Sequence, residues 1–90
     1  MLTSAERKAL KAKAHKLDPV VHVGAKGLTG EVIAEIDRAL HAHELIKVRA
    51  ASLDRNAREE AFGRIAQQTG AEPVQHIGKV FVLFRKKNDE

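Results

Sequence analysis

"VVHVGAKGLTGEVIAEI" (residues 20–36) sets a short β-branched run against a loop with glycines at 24, 27 and 30, then passes into a stretch of helical period. Residues 20–23 read as a short buried strand, because β-branched side chains suit a pleated surface. Beyond the loop, Thr29 is a good helix N-cap, and Leu28 and Ile33 are spaced to staple across it. Val32, Ile33, Ile36, Ala39 and Leu40 recur at three- and four-residue spacings, predicting a helix with a broad apolar face that ends near His43. Residues 45–51, LIKVRAA, then alternate Ile46, Val48 and Ala50 with Lys47 and Arg49. That period of two predicts a strand with one apolar face and one face carrying two cations. Strand, helix and strand in this order imply a parallel pair joined by a right-handed crossover.

The flanks complete the architecture. Thr3 and Glu6 form a capping box, predicting a first helix over residues 4–16 with a narrow stripe of Leu10, Ala14 and Leu17 and a basic remainder of Arg7, Lys8, Lys11 and Lys13. Asp18-Pro19 ends it, since proline cannot continue the hydrogen-bond ladder. Asp54 caps a third helix, Arg55–Thr69, that turns Ala57, Ala61, Phe62, Ile65 and Ala66 inward and has Gly70 beyond its end. Gly63 inside it costs about 1 kcal/mol relative to alanine, and close packing is a candidate reason. Residues 73–77 and 80–85 flank Gly78-Lys79, a two-residue connection that makes a tight hairpin with glycine at positive φ. The expected fold is a single α/β (α+β) domain in the order αβαβαββ, with a four-stranded mixed sheet packed against helices. Residues 1–86 form the domain and residues 87–90 a polar tail.

Size and composition narrow the functions. Ninety residues, 43% hydrophobic and 31% charged, allow one modest core and argue against disorder. No cysteine is present, so neither a disulfide framework nor a thiolate metal site holds the chain, and a cytoplasmic location is expected. The longest apolar run, residues 80–84, is far too short to span a bilayer, and no membrane partner is expected. Net charge is +4, distributed as +4 over residues 1–30, −2 over 31–72 and +2 over 73–90. If the two basic ends meet in space they form a patch that attracts polyanions; otherwise they are solvated surface.

The glycine loop admits three readings: a tight turn, a nucleotide cradle or a clamp for a nucleic-acid backbone. A P-loop needs four residues between its glycines and a following Lys-Ser/Thr pair, but here Lys26 precedes Gly27 and no such pair follows. A dinucleotide fingerprint needs glycine where Lys26 stands. What remains is Gly24-Ala25-Lys26-Gly27, a G-x-x-G loop with one cation, beside free amides at a helix start that favour anions. Some RNA-binding modules clamp backbone nucleotides with such a loop. Catalytic patterns are missing: the five histidines lack metal-ligand spacing, Ser4 and Ser52 have no matched base, and Glu31 and Glu35 fit a solvated acidic face. No enzyme activity, cofactor or metal is expected.

The stretches "LDPVVHVGAKGLTGEVIAEIDRAL" (17–40), "HELIKVRA" (43–50) and "TGAEPVQHIGKVFVLFR" (69–85), in this order and spacing, resemble the CRM domain family and its stand-alone bacterial YhbY-type RNA-binding proteins. The resemblance implies a fold similar to the C-terminal domain of bacterial translation initiation factor three. It also implies RNA as partner, specifically large-subunit ribosomal RNA or its precursor in pre-ribosomal particles, with Gly24, Ala25, Lys26 and Gly27 as the contacting loop. The alternating strand adds Lys47 and Arg49, the last strand Arg85, and the first helix Lys11. With only Phe62, Phe81 and Phe84 as aromatics, a base-stacking platform is poorly supplied, so backbone and shape recognition by a monomer is the expectation. The alternative is a protein-interaction adaptor docking on a ribosomal protein or translation factor; a small-nucleotide enzyme ranks third.

Overall fold

In the computed structural model, which describes residues 2–86, the chain runs α1 (Ser4–Ala14), β1 (Val21–His22), α2 (Gly30–His43), β2 (Leu45–Arg49), α3 (Arg55–Thr69), β3 (Glu72–Ile77) and β4 (Val80–Phe84). This is the expected α+β order with one four-stranded mixed sheet. The polar tail expected at residues 87–90 lies outside the described residues. Among the described residues, no helix is long and apolar enough to cross a membrane.

Local chemistry sets the helix ends. The Thr3 hydroxyl accepts from the Glu6 amide at 3.1 Å and the Glu6 carboxylate accepts from the Thr3 amide at 3.0 Å, closing the capping box of α1. Hydrogen bonds with Thr3, through its backbone first and its side chain second, hold the Glu6 carboxyl below the usual glutamate range. Asp54 caps α3 through the Ala57 amide at 2.8 Å, and Gly70 ends it at φ +73°, a left-handed conformation that suits glycine. Glu44 closes α2 at φ +64° without being glycine. Nothing in the sequence announces that conformation.

The strand order is β1-β2-β4-β3: β1 and β2 run parallel, while β4 lies antiparallel between β2 and β3. Alternation then sends Ile46, Val48, Phe81 and Leu83 to one face, where Ile36 and Leu40 of α2 and Ala61 and Ile65 of α3 cover them. Val82 and Val74 face the other way, against Leu10 and Ala14 of α1, with Phe84 and Leu45 packed alongside. Both faces of the sheet are therefore covered, and Phe81 and Phe84 each join a core, one on either side. The basic N-terminal helix thus lies on the strands of the C-terminal hairpin, with the Arg7 guanidinium donating to the Pro73 carbonyl.

Three expectations need correction, and the last hairpin adds a feature that its sequence does not announce. Helix α1 ends at Ala14, and Leu17 lies past it, 36% exposed, because the turn into Asp18-Pro19 carries it off the sheet. The first strand is an edge strand of two residues: Val20 before it is 46% exposed, and of residues 20–23 only Val21 and Val23 are buried. The last hairpin carries a register shift between Pro73 and Gln75, which brings Val74 onto the α1 side. Gly63 is not packed closely: a β-carbon there would meet nothing within 4 Å. Its helical backbone has no positive φ to relieve, so Gly63→Ala should stabilise the domain by about 0.5–1 kcal/mol, read as a higher thermal midpoint.

Candidate nucleic-acid interface

The loop begins where the parallel pair ends. The Val23 amide donates to the Arg49 carbonyl at 2.7 Å, and the Gly27 amide then donates to the Gly24 carbonyl at 3.0 Å, closing a four-residue turn with Ala25 and Lys26 at its tip. Gly27 adopts φ +76°, where any other residue would be strained. Gly24 faces open space on the side a β-carbon would occupy. Gly24, Ala25 and Lys26 are exposed, while Gly27 is half-buried against Leu53. Gly24–Gly27 and the first turn of α2 line one open depression. Thr29 caps that helix by accepting from the Val32 amide at 3.2 Å. The amides of Gly30 and Glu31 in the same turn carry no partner among the described residues, and neither does the Lys26 ammonium. An exposed cation beside unpaired amides can hold an anion.

The sheet places further cations beside the loop. Register puts His22, Arg49, Val80 and Ile77 in one row across the α1-side face at the loop end of the strands, and Lys47, Val82 and Gln75 in a second row. Lys47 and Arg49 thus share a face, as their alternation requires. Lys11 of α1 joins Lys47 along a groove between helix and sheet. Arg85 does not join them. It follows β4 at the far end of the sheet, and its guanidinium donates to the Asp37 carboxylate at 2.5 Å, the Thr69 carbonyl at 2.8 Å and the Asp37 carbonyl at 3.1 Å. Those bonds consume it in fastening α2 to α3.

Residues 2–85 match the CRS1 / YhbY (CRM) domain. The chain belongs to that family. Among its CRM-family relatives, an RNA-binding protein of Haemophilus influenzae is 43% identical over 88 residues, covering 98% of this chain and 89% of the relative. A Pseudomonas aeruginosa relative, named "Probable RNA-binding protein", is 41% identical over 85 residues, covering 94% and 82%. The solution structure of a Staphylococcus aureus protein superposes with a TM-score of 0.86 at 31% identity, covering 99% of this chain and 93% of the other.

Two further cations at this end of the molecule were not picked out from sequence. Lys79 sits on the hairpin whose tip meets the loop end of the sheet, its carbonyl accepting from the Ala50 amide at 2.7 Å. Arg64 of α3 shares a depression with Gly27 and Leu28 on the other side of the turn. The hairpin was legible, but its neighbour across the sheet was not. Arg64 could have been flagged as lying on the polar face of α3, without any indication that this face borders the loop.

Proposed function

We propose that this chain is a non-enzymatic RNA-binding protein that holds the phosphodiester backbone at the Gly24–Gly27 turn and on the cations Lys26, Lys47, Arg49 and Lys11. Its target is large-subunit ribosomal RNA or its precursor, bound by a cytoplasmic monomer during assembly of the particle. One observation carries the reading: a solvent-open turn presents an unpaired lysine beside unpaired amides, on the edge of a face with further cations. The names of the relatives and the family membership support it.

Salt titration tests it. If four phosphates of a single strand are neutralised, the logarithm of affinity should fall with the logarithm of salt at a slope of about −3. Lys26→Glu should weaken binding about tenfold and make that slope shallower by about 0.7. An unchanged isotherm removes the loop from the site. Glu31 lies in the same depression, where its carboxylate suits the helix start but opposes a phosphate. Glu31→Gln should therefore tighten RNA binding about two- to fourfold, measured by fluorescence anisotropy at low salt.

The adaptor reading has one observation in its favour. Exposed Leu17 and Val20 line a second cleft with Leu45, at the opposite end of β2 from the glycine turn. Co-sedimentation with ribosomal precursors before and after RNase separates the two readings: an RNase-resistant complex favours the adaptor, an RNase-sensitive one RNA.

A further inference from the structure

Helix α1 covers only part of its sheet face. Beside it runs a groove of about 180 Å³ with an apolar floor of Ala14, Val80 and Val82. Ile77, 53% exposed, forms one lip. Gln75 and His15 also line the groove, and Lys11 and Lys47 stand at its rim. The Gln75 side chain is half-buried and has no hydrogen-bond partner among the described residues. Its amide offers both donors and an acceptor to whatever enters.

Size and charge decide between occupants. Drug-sized ligands fill roughly 300–1,000 Å³, so this groove suits a single planar ring system better than a whole cofactor. A protein partner needs about 800 Å² of surface on each side with a lysine-poor apolar centre. Here the apolar floor is narrow, Lys11, Lys47 and His15 line it, and Arg49 lies in the same strand row as its Val80. A planar ring attached to an anionic chain meets both conditions, and a nucleotide of RNA is such a group. The position agrees: Lys47 and Arg49 occupy successive rows on this face, about 7 Å apart along the strand, and the row of Arg49 abuts the glycine turn. A strand held at the turn can reach the groove within a few nucleotides.

We propose that the groove between α1 and the sheet takes one unstacked nucleobase from the RNA strand whose backbone lies on the Gly24–Gly27 turn. Aliphatic side chains cover its faces, the Gln75 amide hydrogen-bonds its edge, and Lys11 and Lys47 neutralise the phosphates on either side. This inference rests on the RNA reading above and adds a preference for unpaired RNA, since a base in a duplex cannot leave its stack without an energetic penalty.

The test uses the full chain and a single-stranded RNA oligonucleotide of mixed sequence, either intact, annealed to its complement, or carrying one abasic ribose moved stepwise along it. Affinities are read by fluorescence anisotropy, with circular dichroism melts confirming that each variant folds. The duplex should bind more weakly than the single strand, and one abasic position should weaken binding five- to tenfold. Gln75→Ala should weaken binding of intact RNA by a similar factor and leave binding of that abasic RNA unchanged. The groove assignment is overturned if no abasic position matters, or if its penalty persists undiminished in Gln75→Ala. Should Lys26→Glu still weaken binding in that case, the RNA reading survives without the groove. Failure to bind any of the RNAs defeats both. Unaltered RNA affinity in Gln75→Ala, together with loss of a ribosomal-protein complex in Ile77→Asp, gives the groove to a protein and likewise overturns the inference.

Discussion

Replacing Phe81 by alanine should destabilise the domain by about 3–5 kcal/mol, the range for removing a fully buried aromatic ring. Phe81 is 0% exposed in β4, an inner strand, and stacks on Phe62 of α3 with ring centroids 5.0 Å apart. The His76 ring meets it edge-on at 4.9 Å, so truncation would unpack a three-ring cluster that joins α3 to the sheet. A domain of this size has a total stability of roughly 5–13 kcal/mol, so the loss removes a large part of it and should lower the thermal midpoint by about 12 °C or more. Phe84→Ala is the contrast. That ring is only half-buried on the α1 side, and its loss should cost clearly less in the same urea or thermal titration. Equal costs would mean that the two faces of the sheet contribute alike.

The second large effect is expected at Arg85. Its side chain is 25% exposed, and its guanidinium makes three bonds, two of them to backbone carbonyls, tying Asp37 of α2 to Thr69 at the end of α3. Hydrogen bonds to a charged donor contribute about 1.5–3 kcal/mol where they are partly shielded, but Asp37 is 55% exposed, so its ion pair counts for little by itself. Arg85→Ala should therefore destabilise the domain by about 2 kcal/mol, mostly through the Thr69 carbonyl at the end of α3, which is left without a donor. Asp37→Ala should cost about 1 kcal/mol or less, and the double variant should cost less than the sum, because the two side chains share an interaction. RNA affinity should change by less than about twofold in Arg85→Ala. A loss of tenfold or more in a variant that remains folded would return Arg85 to the binding surface.

What could be read from the chain without coordinates follows the range of the interactions. The capping box of Thr3 and Glu6, the Asp54 cap, the Gly70 terminus and the Gly78-Lys79 hairpin each involve residues within four positions of one another. Their chemistry is complete in the local sequence, which is why α3 begins and ends at the expected residues. The same holds for the candidate site's centre, where spacing alone makes Gly24–Gly27 a turn with a cation at its tip. Lys47 and Arg49 share a face by alternation, whatever the strand pairs with. Family resemblance then supplied RNA as the expected partner, which the charge count by itself left undecided.

Arg85 marks the boundary of that legibility. From sequence it is one more cation at the end of a strand; its role depends on Asp37, 48 residues away, and Thr69, 16 residues away. The same limit hid Arg64 beside the loop and Lys79 at the loop end of the sheet, and it hid the groove, which exists only where α1 leaves part of its sheet face uncovered. By itself, the sequence determined the elements, their caps and the glycine turn, because backbone propensity and capping are settled by near neighbours. Only the tertiary structure decided that β4 lies between β2 and β3, that both sheet faces are covered, and which cations are free. Those outcomes depend on side chains brought together from distant parts of the chain to bury apolar surface, and no local pattern specifies which distant partner each will meet.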